Sequence, residues 1–274
     1  MNYRGFTAEE LEREYQPSSM IGGNFGPYLA AYDALSREVR ENHSVQESLS
    51  YGASSAHVLD YFPAAGSGAP LHVFIHGGYW QALSQRQSAG MAPGLLAAGQ
   101  AFATLNYTLA PKARLGDMIA ECRDALIWLA GQAAELGFDP ARMTLSGHSA
   151  GAHLVASLLG LEGAALSEAG ITVTDAILIS GVFDLEPISL MTVNDPLQLT
   201  EGEIETLSPL NMVPLRGPRY RVTVGERDTA EFVRQSRSYA EHLRKAGVEV
   251  SFDLQHGKHH YDIIMHDPTF LPGS

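Results

Sequence analysis

The stretch Met143-Thr144-Leu145-Ser146-Gly147-His148-Ser149-Ala150-Gly151-Ala152-His153-Leu154 decides the fold of this chain. A short strand-like run, Met143–Ser146, enters it, and an apolar helical pattern over Ala150–Leu161 leaves it. Between them sits G-x-S-x-G, which turns a strand sharply into a helix with a serine at the apex. Small residues two before and two after the serine let neighbouring backbone pass close, and the apex takes a strained conformation. The helix start leaves N–H groups unpaired beside the hydroxyl and favours negative charge there. Ser149 is therefore read as a nucleophile. The plainer reading, a glycine-flanked turn whose serine only caps the helix, weakens once the strand and helix are taken into account.

Working outward, the same alternation runs along most of the chain. Strands are expected at Val45–Tyr51, His57–Phe62, Leu71–Ile75, Ala101–Tyr107, Met143–Ser146, Ala176–Ser180, Tyr220–Val224 and Val248–Leu254. The first two read as an antiparallel hairpin and the rest as buried parallel strands. Helices are expected at Gln85–Ala98, Gly116–Leu136, Ala150–Leu161 and Thr229–Ala246, with a final one beginning near Tyr261. Such a pattern favours a single α/β domain over 1–274 with a mostly parallel, eight-stranded sheet flanked by helices. Two segments stand outside the alternation. Residues 1–44 read as an N-terminal helical extension, with Thr7 and Glu10 as a capping pair and apolar helical spacing from Tyr28 to Arg40. Residues 184–218, rich in proline, read as a small lid insertion over one end of the sheet.

Acyl transfer creates a negative oxygen that needs preorganised N–H donors. Leu71–Ile75 runs into His76-Gly77-Gly78-Tyr79-Trp80, and paired glycines allow a turn that aims amides into a pocket. Gly77, Gly78 and the amide of Ala150 are the expected oxyanion hole. His76 is read as a residue that holds this loop by hydrogen bonding. A serine hydroxyl also needs a base, and the base needs a carboxylate that sets its tautomer. Asp228 follows the strand Tyr220–Val224 and is the expected acid. It would alternatively be the N-cap of the next helix, and Asp184 is the second candidate. His256, His259 and His260 compete as base; His260, nearest the final helix, is preferred. These histidines lack a Cys pair or an H-E-x-x-H helix, so no metal and no cofactor is expected.

Together these residues resemble the α/β-hydrolase superfamily, and within it the kynurenine formamidase (arylformamidase) type of serine hydrolase. The likeness is carried by Tyr15-Gln16-Pro17-Ser18, the helix Tyr28–Arg40, His76-Gly77-Gly78-Tyr79-Trp80, Gly147-His148-Ser149-Ala150-Gly151-Ala152-His153, Ser180-Gly181-Val182-Phe183-Asp184-Leu185-Glu186-Pro187 and His260-Tyr261-Asp262-Ile263-Ile264. Tyr79 stands where hormone-sensitive-lipase-like carboxylesterases have a third glycine. The family usually shows His-Phe where this chain has His260-Tyr261. The resemblance implies hydrolysis of an N-formyl aryl amide, or of a short-chain ester, with Ser149, His260 and Asp228 as the triad. An aryl substrate needs an apolar wall, for which Tyr79, Trp80 and Phe183 are candidates; Trp80 reads equally as a core aromatic. The other readings are a general carboxylesterase or thioesterase of the lipase-like group, and a non-catalytic binding protein on the same fold.

Composition narrows the partners. The chain of 274 residues carries 31 acidic and 18 basic side chains, a formal charge of −13. That balance argues against nucleic acid and against a polybasic membrane patch. No apolar run reaches membrane-helix length, and the N-terminal residues lack a signal-peptide pattern, so a cytoplasmic protein acting on a small acyl amide or ester is expected. Cys122, the one cysteine, cannot form an internal disulfide. A homodimer is entertained, without a residue that specifies it. Asp184, Glu186, Asp195, Glu201, Glu203 and Glu205 crowd the lid segment. The plain reading is a solvated acidic face; the sharper one is a field at the pocket mouth that slows anionic substrates.

Overall fold

Buried strands with apolar residues on both sides need helices on both faces, and the chain supplies them. The computed structural model describes residues 3–265 and contains one eight-stranded sheet. Its strands are β1 (Gln46–Ser50), β2 (Val58–Phe62), β3 (Ala69–Ile75), β4 (Ala101–Leu105), β5 (Phe138–His148), β6 (Val173–Ile179), β7 (Arg219–Gly225) and β8 (Val250–Gln255). Their spatial order is β1-β2-β4-β3-β5-β6-β7-β8. β2 pairs antiparallel with both β1 and β4, and the other neighbours are parallel. Alternation along the strands feeds two apolar clusters, one on each face: Val73 and Ile75 enter one, Phe74 between them enters the other.

The helices are α1 (Ala8–Glu14), α2 (Gly26–Asn42), α3 (Ala92–Ala97), α4 (Leu115–Gly131), α5 (Ala133–Leu136), α6 (Ala150–Leu161), α7 (Gly163–Glu168), α8 (Glu186–Ser189), α9 (Asn194–Leu197), α10 (Glu201–Leu207) and α11 (Ala230–Lys245). None among the described residues is long and apolar enough to cross a membrane. Thr7 caps α1 as expected, its hydroxyl accepting from the Glu10 amide while the Glu10 carboxylate accepts from Thr7 N–H. The expected helix Gln85–Ala98 is instead two 3₁₀ turns followed by α3. Gly90 lies where a Cβ would come within 2.7 Å of Leu35 from α2, and Pro93 starts a new helix rather than continuing one. The helix expected over Gly116–Leu136 is divided at Gln132 into α4 and α5. After His260 the chain makes turns to Met265, and the rest of the expected final helix lies outside the described residues.

The N-terminal extension is bound to the sheet by charge and by rings. Asp60 on β2 is buried and accepts from Arg40 of α2 at 2.6 Å and from the Ser48 amide at 2.9 Å. A buried carboxylate needs such partners, since desolvation of an unpaired one is far more costly. At its other end the extension reaches α11: Tyr15 donates to Glu231 at 3.0 Å, and Gln235 donates to the Tyr15 oxygen at 2.7 Å.

Candidate active site

β5 ends at His148, and Ser149 turns the chain into α6 with φ 56° and ψ −119°, a conformation side-chain-bearing residues rarely adopt. Close packing on every side makes the turn obligatory. A Cβ on Gly147 would lie 2.3 Å from the Gly151 oxygen, and one on Gly151 would lie 2.0 Å from the Ile75 oxygen. One on Gly77 would meet the His148 oxygen at 2.7 Å. Three separate segments therefore touch backbone to backbone here, which only glycine permits. The Ser149 amide is held by the Ile179 carbonyl at 2.8 Å, pinning the apex to β6.

The loop after β3 runs beside this apex. Gly78 has φ +95°, and Tyr79, Trp80 and Leu83 also lie in the left-handed region at φ 51°, 58° and 70°. Among the described residues, the amides of Gly77, Gly78 and Tyr79 have no hydrogen-bond acceptor. The amide of Ala150, in the first turn of α6, has no intrahelical partner either. Gly78 and Tyr79 line the cavity beside Ser149, while Gly77 is pressed against the elbow itself. The Tyr79 amide is thus a further candidate donor that the sequence reading did not name, and its signal would have been its place directly after the paired glycines. His76 braces the loop: its ring stacks on Tyr107 at 4.5 Å, Nδ1 donates to the Gly77 oxygen at 2.9 Å, and Nε2 lies 3.3 Å from the Asn106 side chain. Burial pushes its pKa down to about 4, so this imidazole stays neutral near pH 7.

β7 ends in a tight turn, with the Asp228 amide donating to the Gly225 oxygen at 3.1 Å. Thr229, not Asp228, is the residue before α11, so the capping alternative for Asp228 falls away. One Asp228 oxygen accepts from the Thr229 amide at 3.0 Å, and the other accepts from His260 Nδ1 at 2.9 Å. Both side chains are buried, with exposures of 5% for His260 and 0% for Asp228. The His260 ring is held by Phe232 at 4.6 Å and His148 at 4.7 Å. His148 is held neutral: burial first, and His260 second, push its pKa well down. The other two histidines stand apart. His259 Nε2 bonds Tyr28 Oη at 2.9 Å, and its Nδ1 accepts from the Tyr261 amide at 3.1 Å. His256 is 95% exposed and lies beside Glu226. Asp184, the second candidate acid, accepts instead from Tyr3 at 2.9 Å and from the Glu186 amide.

Ser149 and His260 open on one cavity of about 320 Å³. Tyr79 is on its wall. Trp80 and Phe183 are not, which corrects their expected place against substrate. Trp80 is fully buried, edge-on to His153 at 5.1 Å. Phe183 is fully buried and stacked on Tyr239 at 4.2 Å. Both rings face the core because their loops turn inward before reaching the cavity: the Trp80 carbonyl is tied to the Ala110 amide and the Phe183 amide to Gln235. The wall is built from residues sequence reasoning did not single out, including Phe25 and Tyr32 of the N-terminal extension, Leu83, Val193 and Tyr261. Of the six carboxylates of the 184–218 segment none lines this cavity, and Glu203 is paired with Arg114, the residue before α4.

Residues 59–243 match the family described as BD-FAE. The chain is 31% identical to a kynurenine formamidase of Danio rerio, covering 96% of this chain and 92% of the relative. It is also 31% identical to a kynurenine formamidase of Drosophila melanogaster, over 93% and 91% of the two chains. The crystal structure of a putative thioesterase from Silicibacter sp. TM1040 superposes with a TM-score of 0.83 at 27% identity, covering 93% of each chain. Esterase B of Lactobacillus rhamnosis shares the fold at a TM-score of 0.73 and 20% identity, over 93% of this chain and 90% of that one. Since the profile spans most of the chain and the formamidase relatives nearly all of it, the chain belongs to the BD-FAE family of α/β-hydrolases as a homologue of kynurenine formamidases.

Proposed function

We propose that this protein is a serine hydrolase that cleaves N-formyl aryl amides and short-chain aryl esters, with Ser149 as nucleophile, His260 as base and Asp228 as the acid that orients it. The observation that carries this reading is the buried His260–Asp228 bond of 2.9 Å at the wall of the cavity that the strained Ser149 also lines. Asp228 accepts a hydrogen bond from Nδ1–H, which leaves Nε2 as the basic nitrogen. Ser149 Oγ attacks the acyl carbon while Nε2 takes its proton. The oxygen that becomes negative is met by the amides of Ala150, Gly78 and Tyr79, with Gly77 keeping the loop tight against the elbow. The carbon–nitrogen or carbon–oxygen bond then breaks, and the imidazolium returns its proton to the leaving atom. Water repeats the cycle on the acyl-serine and releases the acid. His148, neutral beside His260, adds no second positive charge as the imidazolium forms.

The formamidase names of the relatives support the formyl amide, and the esterase names among more distant relatives support the ester. Val193 lines the cavity, which supports the reading of segment 184–218 as its lid. The test is labelling of purified protein with a fluorophosphonate probe, followed by assay on a formanilide and on a p-nitrophenyl acetate. Ser149 is expected to take the label and Ser149→Ala to abolish it together with turnover. Ester hydrolysis with no formanilide hydrolysis would remove the formamidase reading and leave the carboxylesterase one. Unchanged hydrolysis in Ser149→Ala would overturn the triad.

A further inference from the structure

Among its described lining residues, the cavity has no Asp, Glu, Lys or Arg. Four rings, those of Phe25, Tyr32, Tyr79 and Tyr261, form much of the wall, and Leu83 and Val193 add aliphatic surface. The tyrosine tips on this wall have protein partners, whereas the buried His148 Nε2 has none among the described residues. Tyr79 Oη donates to the Tyr15 carbonyl, Tyr32 Oη to the Tyr261 carbonyl at 2.5 Å, and Tyr261 Oη is bonded to Ser18. Gln81 Nε2 donates to the Val193 carbonyl at 2.8 Å, tying the oxyanion loop to the lid segment. The Tyr261 ring is stacked against Phe25 at 5.2 Å and Tyr28 at 5.5 Å. Arg234 is paired with Glu231, Arg114 with Glu203 and Arg40 with Asp60, and none of the three lines the cavity.

Resting on the hydrolase reading above, we propose that the group this site selects is an uncharged aryl ring, and that substrates bearing a carboxylate on that ring are rejected by the cavity itself. An ionised group moved from water to such a wall loses hydration and gains no ion partner, which is far more costly than burying the neutral ring. The ring gains apolar contact on several sides. The volume of about 320 Å³ suits one ring with a short acyl group. Rejection is local, not a matter of the net charge of −13, whose field salt would screen.

The experiment uses the full chain and three aryl acetates: methyl 4-acetoxybenzoate, 4-acetoxybenzoate and 4-(trimethylammonio)phenyl acetate. Each kcat/KM is divided by the ester's own hydroxide rate, which removes leaving-group reactivity. The neutral ester is expected to exceed the carboxylate by about 100-fold, and by at least about 30-fold in 0.5 M NaCl. Val193→Arg, which brings a guanidinium to the cavity, is expected to narrow that ratio about tenfold or more. Neutral and carboxylate esters within about threefold of each other at both salts would overturn the inference while leaving the hydrolase intact, as would a preference for the ammonium ester. A large ratio that collapses in salt would assign the discrimination to the acidic surface instead. No turnover of any ester, with no label on Ser149, would overturn the hydrolase reading and this inference with it.

Discussion

Lowering the pH from 7 to 5 is expected to unload stability from this fold through histidines it buries in neutral form. His72 on β3 is fully buried, with Nε2 2.6 Å from Ser146 Oγ and Nδ1 without a partner. Burial pushes its pKa from 6.5 down to about 3. The same cause pushes His76 and His153 down to about 4. In the unfolded chain each imidazole takes up a proton below about pH 6.5; in the fold it does not. The unfolded state thus binds more protons, and the stability present above pH 6.5 is lost as pH falls toward the folded pKa. Between pH 7 and 5 each of these groups removes about 2 kcal/mol, so the three together remove about 6 kcal/mol. That is comparable with the whole stability of an ordinary domain, about 5–15 kcal/mol.

The perturbation that isolates one of them is His72→Gln, which keeps a polar side chain at the site and removes the titrating group. Urea unfolding of both proteins at pH 7, 6 and 5 yields the stability difference at each pH. Whatever the offset at pH 7, the wild type is expected to lose about 2 kcal/mol more than the variant on going to pH 5. A difference that moves by less than about 0.5 kcal/mol would refute the claim that the fold holds His72 neutral. The consequence for function is practical: an acid limb in the rate must be compared with ellipticity at the same pH before it is assigned to His260.

Three further outcomes follow from the site. Asp228→Asn keeps the shape beside His260 but removes the charge that stabilises the imidazolium, so kcat should fall by about 10³- to 10⁴-fold with the far-UV spectrum unchanged; a loss under tenfold would remove Asp228 from the mechanism. Gly151→Ala would drive a Cβ to 2.0 Å from the Ile75 oxygen, and because that neighbour is backbone the elbow must open. Urea unfolding should show a loss of about 3 kcal/mol and turnover should vanish, whereas a stable, active variant would contradict the described packing. Tyr28→Phe deletes the 2.9 Å bond to His259 beside the proposed base. It should lower kcat about fivefold with KM unchanged and cost about 1 kcal/mol of stability; an equal rise in KM would point to substrate contact instead.

The sequence by itself was enough for the alternation of buried strands and helices, for the sharp turn at Ser149, and for singling out Asp228 and His260, which the structure pairs at 2.9 Å. Those features rest on local rules: periodicity, glycines where backbones must touch, and positions at strand ends. The same rules failed where a side chain's direction depends on distant contacts. Trp80 and Phe183 sit on loops at the strand ends, yet the Ala110 and Gln235 bonds turn both segments toward the core. The helix expected over Gln85–Ala98 gave way to 3₁₀ turns because Gly90 must admit Leu35 from α2. Only the tertiary structure brought Phe25 and Tyr32 of the N-terminal extension to the cavity wall and set Tyr28 against His259. The acidic surplus was visible at once in the composition, but its placement away from the cavity was not. Charge counts carry no direction, and the position of each carboxylate of the 184–218 segment relative to Ser149 is set by packing between segments more than thirty residues apart.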